Sequence, residues 1–155
     1  RAVPGSMHGE EKIKILENTS NRIVKGGNMP CILAGDFNSP NRELADGTII
    51  PWRYEEEGDI AARWVEAEMN ILRGLEDKGM VDVFREQHGY GDLELLDVSH
   101  ATQTEELLAV SPAEVEAKRF DYVIASTDLN PQECWYEYEG FSCSDHAPLV
   151  AEFSP

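Results

Sequence analysis

A short apolar run that follows an amphipathic helical pattern constrains the fold of this chain most strongly. The run spans residues 30–35, with Pro at its start and Gly at its end, and is typical of a strand buried on both faces. Before it, apolar side chains recur at helical spacing in residues 10–25, and a Gly pair ends this predicted helix. Helical and strand patterns are mixed along the chain, which favours a layered domain of α/β or α+β class.

The rest of the chain fits the same class. A second helix is predicted over residues 60–78, with one apolar stripe that carries Ile60, Trp64, Ala67, Ile71 and Leu75. Loops are predicted over residues 1–9 and over most of 36–59, and residues 86–118 show only turns near 88–92 and a short strand near 93–98. Extended segments are predicted over residues 80–84, 120–126, 134–138 and 147–153.

The charge of the chain argues against a simple nucleic-acid binder. Its 30 acidic and 13 basic residues give a formal net charge of −17, whereas nucleic-acid binders usually present a basic face. Either the partner is small or cationic, a divalent metal included, or the acidity is an adaptation to concentrated salt that is unrelated to the site. At ~1 M salt the Debye length falls to about 3 Å, so the surface would hardly repel a polyanion.

Length and cysteine usage narrow the class further. The 155 residues suit one domain, and no apolar run approaches the roughly 20 residues that span a bilayer. The 3 cysteines form no Cys-x-x-Cys pair, so we expect neither a disulfide framework nor a structural zinc site, and a cytoplasmic location. Cys31 falls in the apolar run and is predicted to be buried.

Polar residues directly follow the first predicted strand. Asp36 and Asn38 lie two residues apart, so their side chains point the same way if the backbone stays extended. Carboxylate and amide oxygens together are ligands that Mg²⁺ accepts. The alternative is an Asx-turn, in which Asp36 accepts a hydrogen bond from its own backbone.

Two later segments carry similar groups. Asp145 and His146 precede the last predicted strand, where one could hold a metal or accept a proton and the other contact a phosphoryl oxygen. Asp121 lies within an apolar strand and therefore needs a partner. An imidazole would serve, since a carboxylate fixes its tautomer, but a contact with Arg119 or with backbone is the alternative.

Taken in this order, the three segments resemble the endonuclease/exonuclease/phosphatase superfamily, which includes exonuclease III-like enzymes, neutral sphingomyelinases, inositol-polyphosphate phosphatases and deadenylases. The matching stretches are residues 32–40, 119–126 and 144–150. The resemblance implies a four-layer α/β sandwich with a mainly antiparallel or mixed sheet. It also implies hydrolysis of phosphodiester or phosphomonoester bonds by an activated water, dependent on Mg²⁺ or Mn²⁺.

The resemblance assigns a role to each matching residue. Asp36 would orient or deprotonate the attacking water, and Asn38 beside it would contact phosphate or metal. Asp121 would hydrogen-bond and orient His146, which would contact the scissile phosphate. Asp145 would complete the metal shell with Asp36 and Asn38. An activated water, a cation and a donor on the phosphoryl oxygens are what in-line attack requires.

The chain departs from the family pattern in its first half. The family carries there an Asn at a strand end and a Glu that is the principal metal ligand, and neither segment is found; His8 is better explained as a surface-loop residue than as the family's histidine. We therefore expect residues 1–155 to be a single, N-terminally truncated domain, the C-terminal half of the sandwich, that binds metal weakly and turns over slowly or not at all. The alternative is a catalytically degenerate module that acts by binding a partner.

Several details remain open at this level. The substrate could be a nucleic acid, a lipid headgroup or a sugar phosphate, although Ser39-Pro40 and the acidity lean toward the sphingomyelinase- and deadenylase-like branches. An exposed edge of the half-sandwich would permit self-association. His88 and His100 are predicted to be surface or loop residues, with a pocket-lining role open for His100. The aromatic residues of 135–138 are predicted to pack in a strand rather than to stack on bases.

Overall fold

Helical and extended segments alternate in the computed structural model, which describes residues 7–27, 29–91, 98–101 and 117–154. The helices are α1 (Met7–Gly26), α2 (Asp59–Leu72) and α3 (Val83–His88). The strands are β1 (Ile32–Asp36), β2 (Arg42–Glu43), β3 (Ile49–Ile50), β4 (Met80–Asp82), β5 (His100–Ala101), β6 (Ala117–Lys118), β7 (Asp121–Ser126), β8 (Pro131–Tyr136) and β9 (Leu149–Phe153). The protein therefore has a mixed α/β fold with antiparallel sheets, as the sequence predicts.

The antiparallel sheet β1-β7-β4 has β7 in its centre. Its register sets Asp36, the last residue of β1, directly opposite Asp121, the first residue of β7. The described residues also form the antiparallel pairs β2–β3, β5–β6 and β8–β9. A separate bridge joins His100 to His146. Residues far apart in sequence thus meet at one end of the central sheet.

Strand β7 supplies the core on both of its faces. Tyr122 and Ile124 pack into the cluster formed with α1 and α2, whereas Val123 and Ala125 belong to the cluster formed with α3, β8 and β9. The alternation follows from the two-residue repeat of a strand. Each face is covered, which explains why the sequence of β7 is almost continuously apolar.

The two long helices contact each other closely where α1 crosses α2. A Cβ added at Gly9 would lie 3.1 Å from the Trp64 ring, so any larger residue would require the ring to shift by a few tenths of an ångström. The helix α1 begins at Met7, which corrects the loop predicted up to residue 9. Apolar spacing alone did not reveal this first turn, because Met7 is its only large apolar residue.

The second predicted helix is shorter than the sequence indicates. α2 ends at Leu72, and the amides of Arg73 and Gly74 both donate to the Met69 carbonyl. A separate 3₁₀ turn, Glu76–Lys78, continues the pattern and ends at Gly79, as the glycine predicts. Of the predicted stripe, only Ile60 is exposed, at 53%, because it lies in the first turn of the helix.

Two extended predictions also need correction. The segment 80–84 is extended only to Asp82, because the Asp82 side chain accepts a hydrogen bond from the Arg85 amide and caps α3. Strand β1 is not buried on both faces: Ile32 is 51% exposed and Cys31 is half-buried. Within the described residues β1 forms the edge of its sheet, so its apolar run has fewer neighbours than a central strand.

The remaining predictions hold with shifted bounds. β7, β8 and β9 correspond to the three predicted C-terminal strands, and β2 and β3 form a hairpin within the predicted loop 36–59. Most of the strand predicted near 93–98 lies outside the described residues.

The three cysteines are free. In the described part of the chain, helices are too short or too polar to cross a membrane.

Candidate functional site

Three of the predicted site residues meet at the end of β1 and β7. Ligand atoms of Asp36, Asp121 and His146 all lie within 4.8 Å of one another. The pairing of β1 with β7 sets the two carboxylates side by side, and the loop before β9 brings the imidazole to them. Asp36 is exposed, whereas Asp121 and His146 are half-buried, so the group opens to solvent on the Asp36 side.

Asp36 and Asn38 form a tight turn at the end of β1. Both oxygens of the Asp36 carboxylate accept from Asn38, Oδ1 from its backbone amide at 2.8 Å and Oδ2 from Nδ2 at 2.6 Å. The Asx-turn considered as the alternative is therefore present. The backbone does not stay extended, because Asn38 has a φ of 47°, which Asn tolerates better than most residues. The two side chains nevertheless remain in contact.

A hydrogen-bond network holds the turn that contains Asn38 in place. Nζ of Lys12 on α1 donates to the Asn38 carbonyl at 2.8 Å and to Oγ of Ser39 at 2.7 Å. The Trp52 indole donates to the same carbonyl at 2.9 Å. Oγ of Ser39 in turn donates to Glu68 of α2 at 2.5 Å. Both long helices thus position the loop that carries Asn38.

Burial sets the electrostatics of this network. Burial raises the pKa of Glu68, against the hydrogen bond from Ser39 and the charge of Lys12, whose Nζ lies 3.7 Å from Oε1. Burial likewise lowers the pKa of Lys12, although Glu68 opposes the shift. Neither Lys12 nor Glu68 was predicted to support the site. A sequence feature that points to Glu68 is its position within the apolar stripe of α2, between Trp64 and Ile71.

Asp121 forms the hydrogen bond expected of it: its Oδ2 lies 2.7 Å from Nδ1 of His146. Its backbone is held as well, since its amide donates to Oγ of Ser99 at 2.9 Å and its carbonyl accepts from the Tyr136 hydroxyl at 2.8 Å. Ser99 also accepts, through its carbonyl, from the Ala147 amide at 2.8 Å. One serine therefore ties the Asp121 strand to the loop of His146.

The alternative partner considered for Asp121 was Arg119. Arg119 instead pairs with other acids and anchors a buried ion network. It donates to Glu43 at 2.9 and 3.0 Å and to Asp82 at 2.5 Å. Arg85 donates to the same Glu43 carboxylate at 2.5 Å. Burial by itself would raise the pKa of Glu43, but the two guanidinium groups outweigh it and lower the pKa. This network fixes the chain two residues before Asp121.

Asp145 belongs to a second group. Its ligand atom lies within 4.8 Å of those of His100 and His146, and Oδ2 is 3.6 Å from Nε2 of His100. His100 is buried in β5, which corrects the prediction of a surface or loop residue. His88 is the last residue of α3, and His8 lies in α1; neither is in a loop.

The aromatic residues near β8 contribute to packing, as predicted. Tyr136 is buried against Phe84, with ring centroids 4.8 Å apart. Tyr138 is half-buried, with its ring stacked on Phe141 at 6.1 Å. The hydroxyl of Tyr136 reaches back to the Asp121 carbonyl, so this packing also supports the candidate site.

The donor set fits a hard divalent cation. The Asp36 carboxylate is exposed, and the Asn38 amide uses its nitrogen toward Asp36, which leaves its oxygen for a ligand. Oxygen donors of this kind suit Mg²⁺ or Mn²⁺. The adjacent Asp121–His146 pair adds an imidazole whose Nδ1 is held by a carboxylate, so the arrangement combines a carboxylate near solvent with an oriented ring.

Comparison with solved structures shows a likeness in fold. No protein-family model matches the sequence, and no curated protein matches it. The fold is similar to that of the AP endonuclease LMAP from Leishmania major, with a TM-score of 0.50 and 22% sequence identity. The match covers 80% of this chain but only 35% of that protein, so the chain spans about a third of its length. At this identity the likeness shows a shared fold.

Proposed function

We propose that the site at the end of β1 and β7 belongs to a metal-dependent phosphoesterase that hydrolyses phosphodiester or phosphomonoester bonds with an activated water. The observation that carries the proposal is the meeting of Asp36, Asp121 and His146 within 4.8 Å. The fold likeness to a protein named as an AP endonuclease supports it, because that name denotes cleavage of a phosphodiester backbone.

The protein's own groups would divide the work. Asp36, exposed and held by Asn38, would orient the attacking water and accept its proton. Asp121 holds Nδ1 of His146, so that Nε2 of the protonated ring would donate to a phosphoryl oxygen. Asn38 would contact the phosphate or the cation. Each role uses a side chain whose orientation is fixed by at least one hydrogen bond.

A Mg²⁺ or Mn²⁺ ion would be held by Asp36 and Asn38, with Asp145 as a further ligand. When bound, it supplies positive charge that polarises the phosphoryl oxygens and acidifies water. Such an ion also matters for a chain with a net charge of −17, because it would make the local electrostatic potential at the acidic group positive. The acidic surface is therefore compatible with a phosphate-bearing substrate.

A cavity beside the site offers room for part of the substrate. It has a volume of about 430 Å³ and is lined in part by Asn41, Trp52 and Arg53. Trp52 also donates to the Asn38 carbonyl, so the cavity adjoins the turn that carries Asn38. Glu55 and Glu56 also line it, and Arg53 already pairs with Glu56 at 3.4 Å, so the Trp52 indole is the group that would contact an apolar or planar part of a substrate. Nucleic acids and lipids both carry such a part.

We further propose that these 155 residues are the C-terminal part of the catalytic domain. The supporting observation is that the match covers 35% of the similar endonuclease. On its own the chain should therefore turn over slowly or not at all. A robust Mg²⁺-dependent rate from the 155 residues alone would contradict this part of the proposal.

The test is a hydrolysis assay of the full-length natural polypeptide with Mg²⁺ or Mn²⁺, in low and high salt, on DNA, RNA, a phospholipid and a sugar phosphate. Asp36→Asn and His146→Gln should each lower kcat about 10²- to 10⁴-fold. The control Asp128→Asn changes an exposed acid in a turn and should leave the rate unchanged. A wild-type rate from Asp36→Asn would sink the proposal. No hydrolysis of any substrate would favour the degenerate binding module instead.

A further inference from the structure

We propose that His100, Asp145 and His146 form a binding site for a late first-row divalent ion such as Zn²⁺. Ligand atoms of these three residues lie within 4.8 Å of one another. The set differs from the Asp36–Asn38 pair in chemistry, since it offers two imidazoles and one carboxylate instead of oxygens alone. Nitrogen-rich sets of this composition favour Zn²⁺ or Co²⁺ over Mg²⁺.

The spacing of two donors already suits such an ion. Nε2 of His100 and Oδ2 of Asp145 are 3.6 Å apart. Two donors on a tetrahedral Zn²⁺, each at about 2.1 Å, lie about 3.4 Å from each other. The rings of His100 and His146 are also adjacent, with centroids 4.8 Å apart and planes at 64°. Small side-chain rotations would therefore complete a three-ligand site that leaves one position for water.

His146 is oriented as a metal-bound histidine usually is. Its Nδ1 is occupied by the Asp121 carboxylate at 2.7 Å, so Nε2 is the nitrogen left for an ion. A carboxylate on the far nitrogen fixes the tautomer and makes the imidazole a better ligand. Asp121 would thus serve as the outer partner of the site.

The backbone holds the ligands together before any ion binds. His100 and His146 face each other in a β-bridge, and the next residue, Ala147, donates to the Ser99 carbonyl at 2.8 Å. His100 is only 5% exposed and packs on the Phe120 ring, so ordering it on binding costs little. The Asp145 side chain is 57% exposed, which gives an ion a path to the site.

The site shares Asp145 and His146 with the proposed hydrolytic site, so a Zn²⁺ bound there would occupy Nε2 of His146 and exclude its donation to a phosphoryl oxygen. His100 belongs only to the nitrogen-rich group, and Asp36 only to the proposed hydrolytic site. A substitution at either position therefore addresses one proposal without removing a ligand of the other.

The experiment is calorimetric titration of the 155-residue chain with Zn²⁺ in excess Mg²⁺, repeated with Co²⁺ to record its visible absorption. Wild type should bind one Zn²⁺, and His100→Asn and Asp145→Asn should each weaken binding at least about tenfold. The matched control His88→Asn should bind as wild type does. Asp36→Asn should keep Zn²⁺ binding even if the hydrolytic proposal fails.

Two results would overturn the inference. One is Zn²⁺ binding with equal affinity in His100→Asn and wild type. The other is a Co²⁺ spectrum that shows six-coordinate oxygen ligation in wild type. Because His100 is buried, circular dichroism must show that His100→Asn is folded; if it is not, the exposed Asp145→Asn variant decides alone.

Discussion

At the scale of single residues, an acid inside an apolar strand needs a partner, so some polar contact of Asp121 was predictable from the residues alone. The resemblance singled out His146 as that partner, and the hydrogen bond between the two is present. The turn at Asn38 was harder to predict. Its left-handed backbone depends on competition between local hydrogen bonds, and on Lys12, which lies 26 residues away in sequence.

Substitution of Asp121 by Asn tests its positioning role. The amide would donate to Nδ1 of His146 instead of accepting from it, which selects the other tautomer of the ring. We expect kcat of the full-length polypeptide to fall about 10- to 100-fold, as for other residues that orient a histidine. Nitrogen NMR of the His146 ring should show the tautomer change, a readout that a purely structural role would not move. An unchanged ring spectrum would contradict the assignment.

At the scale of elements, the apolar pattern predicted the burial of the central strand correctly and that of the edge strand incorrectly. β7 is packed on both faces, and its sequence indicates this. The run of β1 is equally apolar, yet its burial depends on neighbours that sequence does not specify. The start of α3 was hidden for another reason, because the capping hydrogen bond to Asp82 overrides the extended tendency of Val83 and Phe84.

The ion network of Glu43 should make the packing of these elements sensitive to acid. Because the folded state lowers the pKa of Glu43, its contribution to stability is present above the ordinary value of 4.5 and is lost as pH falls through the folded pKa. At neutral pH, Glu43→Gln should lower the free energy of unfolding by up to about 3–5 kcal/mol, since it removes the carboxylate shared by the buried Arg119 and Arg85 and leaves Asp82 as the acidic partner of Arg119.

Urea denaturation of wild type and Glu43→Gln between pH 7 and pH 3 measures this effect. The difference between the two proteins should shrink below about pH 4.5. Glu76→Gln, in the exposed ion pair with Arg73, is the matched control and should change stability little. A Glu43→Gln difference that is constant with pH would show that the carboxylate charge does not stabilise the fold.

At the scale of the whole molecule, fold class and the grouping of site residues were predictable, but the long-range supports were not. The links from Glu43 to Arg119 and from Ser39 to Glu68 join segments 76 and 29 residues apart. No local pattern encodes such pairs, because each partner taken alone resembles a surface residue. The charge of −17 likewise bears on solubility and association and does not specify the fold.

The exposed edge of β1 predicts that the chain associates with a second copy of itself. Ile32 is 51% exposed on a strand that pairs only with β7 among the described residues, and such edges pair readily with another chain. In high salt, which screens the negative charge, sedimentation should show a dimer that grows with concentration. Ile32→Lys should abolish it, whereas Ile15→Lys, an exposed position on α1, should not. Equal dimerisation of both variants would exclude the β1 edge as the interface.

The central claim is that Asp36 and Asn38 hold a divalent metal ion beside the Asp121–His146 pair, and Mn²⁺ titration of the isotope-labelled chain tests it most directly. Paramagnetic broadening should appear first at the amides of residues 36–38, 121 and 145–146, and Asp36→Asn should abolish this preference. Broadening that begins at the exposed acidic residues 55–57, and is the same in Asp36→Asn, would contradict the account.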